Sequence, residues 1–118
     1  MKRDWDIIRA VLIDVEEENV AGYELSDTED MQQAAEAKHA FLLWRSGFIM
    51  GIDASSMDGD AILNPELTWQ GYELLDTIRS STMWERVKSI SVESGVSLTF
   101  TTVFELAKAA AKEKLGLG

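Results

Sequence analysis

The first part of the chain alternates apolar and polar positions with the period of an α-helix. The apolar residues that recur at spacings of three and four are Trp5, Ile8, Val11, Leu12 and Val15, and that spacing places them on one helical face. Asp4 precedes them and is a suitable N-cap residue. We predict a first helix over residues 4–17, followed by a short extended segment over residues 20–25.

A second helix is predicted to begin at Ser26, Asp27 or Thr28 and to run to about Arg45, since all three are good N-cap residues. Gly47 follows and is the residue type that commonly ends a helix. The apolar positions cover two faces, one with Ala35, His39, Leu42 and Leu43, the other with Ala37, Phe41 and Trp44. Such a helix is either covered on two sides or leaves an apolar face exposed.

A β-hairpin and three helices are predicted next. Residues 48–52 and 61–63 form apolar runs separated by a polar loop with a glycine, which indicates a hairpin. Thr68 caps a helix to about residue 78, and Thr82 with Glu85 has the capping-box spacing of a helix to about residue 90. The last helix is predicted to begin at Ser97 or Thr102 and to end at Gly116. Its inward residues are expected to be Val103, Leu106, Ala107 and Ala110, with Lys108 and Lys112 outside.

The order of elements indicates an α+β fold of winged-helix type. A helix, a short strand, a second helix and a β-hairpin wing come first, and a C-terminal helical extension follows; in a winged helix, the helix before the hairpin is the recognition helix. The length of 118 residues suits a single domain. We expect residues 1–66 to form the helices and wing, and residues 67–118 to pack on them as the extension.

Several short segments together carry a family resemblance. They are MKRD at residues 1–4, HAFLLWRSGFI at 39–49, SMDG at 56–59, LTWQGYELLD at 67–76, TMW at 82–84 and KLGL at 114–117. In this order they resemble the family called domain of unknown function 2513. The resemblance implies a small winged-helix-like protein of bacterial or prophage origin, for which the family establishes no activity.

The chain departs from that family pattern in two places. The stretch between Tyr23 and His39 is longer than usual, which alters the approach to the recognition helix. Acidic Glu66 stands where a basic residue often precedes Leu-Thr-Trp, which removes positive charge beside the wing. Both departures weaken the case for DNA binding.

The net charge of −10 is unevenly distributed along the chain. Residues 1–78 hold seventeen acidic and five basic residues, a net charge of −12, whereas residues 79–118 hold four acidic and six basic residues, a net charge of +2. A DNA-binding protein needs a cationic face, because displaced counterions supply most of its non-specific affinity. DNA binding would therefore require a local basic patch that outweighs the overall charge.

Composition excludes several classes of protein. The chain is 46% apolar with one proline, so it is not of the disordered class. It has no cysteine, which excludes disulfides, thiolate nucleophiles and Cys-ligated metals and agrees with a cytoplasmic location. No apolar run approaches the roughly 20 residues of a membrane-spanning helix, and no apolar segment of the kind found in signal peptides follows Lys2 and Arg3. We expect a cytoplasmic protein with no membrane association.

Catalytic chemistry finds little support in the sequence. There is no Gly-rich phosphate loop, no pair of histidines at metal-ligand spacing and no nucleophile placed beside a base. His39 is the single histidine and is best interpreted as a packed residue with a backbone hydrogen bond. The loop over residues 53–60 has carboxylates and a glycine but not the ligand spacing of a calcium loop. We predict no enzyme activity, no cofactor, no metal and no small-molecule substrate.

The remaining hypothesis is a non-enzymatic accessory protein that binds a macromolecule. DNA-linked regulation would use Gln32, Gln33, Lys38 and Arg45 on the recognition helix, since Gln pairs with adenine and Arg with guanine. Protein binding would use Phe41 and Trp44 as exposed aromatic anchors, or would join two copies as a homodimer by self-association of the helical tail. Trp44 is also a candidate core residue. A third hypothesis is that the acidic face imitates DNA.

Overall fold

The computed structural model describes residues 2–25 and 30–116 and shows a mixed α+β fold. Its helices and strands are α1 (Trp5–Glu16), β1 (Gly22–Leu25), α2 (Met31–Arg45), β2 (Ile49–Asp53), β3 (Asp60–Leu67), α3 (Trp69–Ile78), α4 (Ser81–Ser94) and α5 (Phe100–Leu115). Two compact units divide the chain, residues 1–72 and residues 73–118. Among the described residues, no helix has the length and apolar character needed to cross a bilayer.

Helix α1 forms as the apolar periodicity predicts. The Asp4 carboxylate accepts hydrogen bonds from the backbone N–H groups of Asp6 at 2.9 Å and Ile7 at 3.3 Å, which satisfies two of the donors that a helix start leaves without partners. All five apolar residues that define the predicted face are buried. The predicted cap and the buried face are both confirmed.

The three strands form an antiparallel sheet in the order β1-β3-β2. Strand β3 is central, and its Ile62 lies opposite Tyr23 of β1, while its Leu67 lies opposite Ile49 of β2. These four residues are buried, and α1 and α2 pack on that inner side of the sheet. The predicted hairpin is therefore present, and the predicted extended segment at residues 20–25 contains its third strand.

Strand β3 is longer than the predicted segment over residues 61–63. It continues to Leu67 because an irregularity accommodates Asn64 and Pro65: the pairing register shifts there, and Asn64 has a positive φ of 51°. A bulge of this kind tolerates proline, which has no N–H to donate to a ladder. The predicted segment ended at residue 63, before an Asn-Pro pair of the kind that is typical of turns.

Helix α2 begins at Met31, with Asp30 as its N-cap. The Asp30 carboxylate accepts hydrogen bonds from the N–H groups of Gln32 and Gln33. The predicted caps, Ser26, Asp27 and Thr28, lie outside the described residues. The predicted end is confirmed, since Ser46 is the C-cap and Gly47 follows with a φ of 83°. Both apolar faces hold buried residues, because α2 packs against α1, β1 and β2.

The helices of residues 73–118 begin at caps that the sequence analysis misplaced. Ser80, not Thr82, caps α4, because its hydroxyl accepts a hydrogen bond from the N–H of Met83 at 3.3 Å. The helix continues past residue 90 to Gly95, which has a φ of 67°. Thr99 caps α5 in a capping box, so Ser97 lies before the helix and Thr102 lies inside it. Gly116 ends α5 as predicted.

The inward face of α5 is largely as predicted. Val103, Ala107 and Ala110 are buried, Leu106 is half-buried, and both Lys108 and Lys112 are exposed. Arg86 of α4 donates two hydrogen bonds, at 2.9 and 3.0 Å, to the carboxylate of Glu113 on α5. These charge-assisted bonds lower the pKa of the Glu113 carboxyl and fix a contact between the two helices.

The start of α3 is held close to the turn before β2. The Thr68 hydroxyl accepts a hydrogen bond from the N–H of Gly71 at 3.1 Å and donates one to the carbonyl of Gly47 at 2.6 Å. A Cβ atom at Gly71 would lie 2.0 Å from the carbonyl oxygen of Phe48. The obstructing atom belongs to the backbone, so it cannot rotate away, and only glycine fits at this position.

We predict that Gly71→Ala lowers the free energy of unfolding by about 1–3 kcal/mol, the usual cost of overpacking, despite the better helix propensity of alanine. Urea denaturation followed by far-ultraviolet circular dichroism measures the change. The matched control is Gln70→Ala on the same helical turn, which changes an exposed residue and should stay within about 0.5 kcal/mol. Equal effects of the two substitutions would contradict the close approach.

Candidate functional site

Helix α2 presents most of the predicted contact residues to solvent. Gln32, Gln33, Lys38 and Arg45 are exposed. Phe41 is only 1% exposed, so the expectation that it serves as an exposed anchor is wrong, because the packing of α2 against other elements on two faces places its ring in the core. Trp44 is half-buried, and its ring centroid lies 5.9 Å from that of Phe41.

Two of the polar groups on this helix already interact with carboxylates of the same protein. The Arg45 guanidinium lies 3.5 Å from the carboxylate of Asp60 at the start of β3, and 5.8 Å from the centroid of the Phe41 ring. The side-chain amide of Gln32 donates a hydrogen bond to Glu36 at 3.1 Å. The positive charge of Arg45 is therefore matched by the hairpin that a winged helix would place against DNA.

His39 is buried, with 2% exposure. Its Nε2 accepts a hydrogen bond from the backbone N–H of Asp4 at 2.9 Å, and its Nδ1 lies 2.7 Å from the carbonyl oxygen of Ala35. Both ring nitrogens thus have backbone partners, with Nδ1 as the donor. The prediction that His39 is a packed residue is confirmed, and the ring ties the start of α1 to the middle of α2.

The sheet has an outer face that carries exposed apolar side chains. Met50 is 48% exposed, Ile52 58% and Leu63 41%. Ile52 and Leu63 are direct partners across β2 and β3, and Met50 lies two residues from Ile52 along β2, so the three side chains point to the same side. These three residues are called the outer patch. Exposed apolar side chains that are neighbours, as here, mark candidate interaction sites.

Carboxylates surround the outer patch, and no basic residue belongs to the sheet. Glu66 pairs with Met50, and Glu24 of β1 pairs with Ala61 of β3. Residues 49–67 contain Asp53, Asp58, Asp60 and Glu66 and no lysine or arginine. Hydrogen bonds from Ser55 lower the pKa of the Asp53 carboxyl. Glu24 and Glu66 therefore share the outer side of the sheet with the outer patch, and the hairpin as a whole is acidic.

The same bias extends to the whole of residues 1–72. They hold fifteen acidic and five basic residues, a net charge of −10, whereas residues 73–118 hold six of each. The entire net charge of the protein thus belongs to the unit that contains the sheet. This unit would be expected to attract cationic partners and to repel nucleic acid.

Strand β2 lies at the edge of the sheet, with β3 on one side. The N–H of Ala54 bonds to the carbonyl of Ala61 at 2.9 Å, and the N–H of Thr68 bonds to the carbonyl of Phe48 at 3.1 Å. In an antiparallel ladder, residues that bond to the partner alternate with residues whose backbone groups point away. The backbone groups that point away from β3 are those of Ile49, Gly51 and Asp53.

A buried hydroxyl lies on the other side of the sheet. Tyr23 of β1 is buried, and its hydroxyl has no hydrogen-bond partner among the described residues. Burial raises its pKa strongly, and the nearby carboxylates of Asp14 and Glu36 raise it further. Next to this residue, β1 and α2 line an open cleft. Across the part of the chain that the structure describes, no group of three or more His, Asp or Glu side chains is arranged to hold a metal ion.

Comparison with known proteins confirms the family resemblance found in the sequence. The family model described as "Hypothetical protein (DUF2513)" matches residues 2–97. The chain belongs to the DUF2513 family. A protein of Haemophilus influenzae described as uncharacterized is 33% identical over 115 residues, covering 92% of this chain and 93% of that protein. No solved structure matches this DUF2513 member.

The sequence predicts β2 as a strand but does not reveal the outer patch. The run Phe48-Ile-Met-Gly-Ile is apolar at nearly every position, so it does not show which side faces the core or whether the other side is covered. The partner strand gives no better signal, because regular alternation would place Leu63 and Glu66 on opposite sides, and only the bulge brings them together. The structure shows that this face of the DUF2513 sheet is exposed.

We predict that the stability of the protein falls above about pH 10, the ordinary pKa of tyrosine, because Tyr23 ionises in the unfolded state before it does so in the folded state. Tyr23→Phe should remove this part of the loss. At neutral pH it should be neutral or stabilising by up to about 1 kcal/mol, since it deletes a buried hydroxyl without a partner.

Urea denaturation at neutral pH and at about pH 10.5, just above that ordinary tyrosine pKa, measures both effects. Tyr72→Phe is the matched control, because Tyr72 is 45% exposed and should leave the alkaline loss unchanged. A Tyr23→Phe variant that loses as much stability at high pH as the original protein would contradict the assignment.

Proposed function

We propose that this DUF2513 protein is a non-enzymatic protein-binding module of winged-helix type, and that the outer patch is its contact surface. The observation that carries the proposal is the exposure of Met50, Ile52 and Leu63 side by side on the sheet. Large apolar side chains lose contact with water when a partner covers them, which favours association. The surrounding carboxylates would form the polar rim that such interfaces have.

The winged-helix assignment is supported by the arrangement of elements in residues 1–72. Helix α2 leads directly into the β2–β3 hairpin, and β1 from between the first two helices pairs with β3 to complete the sheet. This is the order of helix, strand, helix and wing expected from the sequence. A fold of this type does not determine what is bound, so the surface chemistry must decide.

DNA-linked regulation is the second candidate, and the position of α2 before the hairpin is the observation that favours it. Gln33 and Lys38 are exposed on that helix, where a recognition helix would read bases. The electrostatics oppose it, because the hairpin contains four carboxylates and no basic residue and because Arg45 is paired with Asp60. Phosphate contacts need cations at the wing and on the helix.

The proposal includes no catalytic role. The single histidine has a backbone partner at each ring nitrogen, so it is not placed as a general base toward solvent. The acidic residues around the outer patch are exposed, apart from the half-buried Asp60, which pairs with Arg45, and a carboxylate in water lacks the environment that tunes it for acid–base work.

We predict that a photo-crosslinking phenylalanine derivative at position 52 captures a small number of discrete protein adducts in cells that express the protein. Leu63→Asp in the same chain should abolish those adducts, because it places a charge in the centre of the outer patch while leaving the exposed strand able to form. Mass spectrometry of the purified adducts measures the outcome.

The matched control places the same derivative at position 92, since Val92 is 82% exposed and lies in α4 of the other unit. Adducts that are identical from positions 52 and 92, or that survive Leu63→Asp, would contradict the outer patch as the contact surface. Circular dichroism of each variant verifies that the fold is retained.

We predict that a labelled mixed-sequence DNA duplex shows no rise in fluorescence anisotropy at low salt with about 10 μM protein, although basic DNA-binding domains bind non-specifically near this range. A rise that weakens with salt and with Lys38→Ala would instead support the DNA candidate. Leu63→Asn, which alters the outer patch without changing the net charge, should have no effect on such a signal and serves as the control.

A further inference from the structure

We infer that β2 is a docking edge on which an extended, basic segment of another protein pairs as a fourth strand of the sheet. This inference rests on the proposed function and names the partner of the same surface. The outer patch explains why a protein would bind, and the edge of β2 explains how the bound chain would lie.

Geometry provides the first step. The backbone groups of Ile49, Gly51 and Asp53 point away from β3 and form a row along the edge of the sheet. An extended peptide can continue the ladder on such a row and gain main-chain hydrogen bonds. Its alternate side chains would then lie beside Met50 and Ile52 and extend the apolar outer face.

The second step is that β2 lacks the usual protection of an edge strand. Natural proteins protect exposed edges with lysine, proline or an inward-pointing charge. Residues 49–52 include none of these, and the one charged residue of β2, Asp53, lies at its end on the same side as Ile49, so only that end has an inward charge. Both β2 side chains that face the outer side, Met50 and Ile52, are large and apolar. An edge with this composition is suited to pairing.

The negative charge of the hairpin indicates that the docked segment is basic. A strand laid along β2 would lie near Asp53 and within the field of the other hairpin carboxylates, including Asp58 and Glu66. Lysine or arginine residues in the segment would be attracted there, and acidic residues would be repelled. A second copy of this chain is a poor occupant, because its own β2 edge would bring a unit of net charge −10 against another of the same charge.

The experiment selects binders from a phage-displayed library of random dodecapeptides on the immobilised full chain. Peptides that also bind the Leu63→Asp variant are removed. We expect the remaining sequences to alternate apolar residues with lysine or arginine. A synthetic peptide of that sequence should bind the original protein at least tenfold more tightly than Leu63→Asp, as measured by isothermal titration calorimetry.

A pair of substitutions at one position tests the strand geometry. Asp53→Pro removes an N–H that points away from β3, whereas Asp53→Ala removes the same carboxylate and keeps that N–H. We expect Asp53→Pro to bind the peptide about tenfold more weakly than Asp53→Ala. If Asp53→Pro does not fold, two forms of the peptide are made instead, one N-methylated at its odd-numbered residues and one at its even-numbered residues. Only the form whose methylated N–H groups would bond to β2 should lose binding.

The remaining outcomes overturn the inference. Selected peptides without a preference for lysine or arginine, equal affinity of the proline and alanine variants, or equal loss from both N-methylated phases would refute the added basic strand. They would leave the proposed function intact if binding still requires Leu63. A selection that enriches no peptide would also refute it, as would a dimer in analytical ultracentrifugation that Leu63→Asp dissociates. In either case the crosslinking from position 52 tests the proposed function separately.

Discussion

The irregularity in β3 at Asn64 and Pro65 is the constraint on which the sheet depends. Side chains alternate strictly along a strand, so two residues five positions apart would normally face opposite sides. Ile62 and Leu67 are five apart and both are buried, because the register shift inserts an extra residue between them. The same shift leaves Leu63 and Glu66 together on the outer side, beside Ile52 and Met50. One bulge therefore completes the core and also creates the outer patch.

The acidic character of the sheet indicates the charge of a partner that the outer patch would attract. In a winged helix that binds DNA, the hairpin and the helix before it are expected to carry cations. Here Asp60 instead forms an ion pair with Arg45, which lies at the end of α2. The sheet adds further carboxylates and contains no lysine or arginine. The sheet thus presents an apolar surface with a negative rim, and the proposal of a basic protein partner rests on that chemistry.

Much of the fold was predictable, because its signals are local. The periodicity of α1 and its Asp4 cap, the glycine after α2 and the end of α5 at Gly116 each follow from a few adjacent residues. Misplaced caps occurred where several hydroxyl residues compete, as around Ser80 and Thr82, since each can accept the same kind of backbone hydrogen bond. The extension of β3 through Pro65 was missed because a bulge depends on the opposite strand.

The outer patch was less predictable, because the exposure of a side chain depends on packing between elements that are distant in sequence. Phe41 looks like an anchor beside Trp44 and Arg45, yet α2 is covered on two faces and the ring is in the core. Met50 and Ile52 look like core residues of an apolar strand, yet only the inner side of the sheet is covered by α1 and α2. The wrong expectation for Phe41 and the missed outer patch share one cause, since hydrophobicity states how strongly a side chain avoids water and not which element shields it. In this protein the exposed apolar side chains coincide with an open strand edge, so the features that the sequence does not reveal are those on which the proposed binding of an extended chain rests.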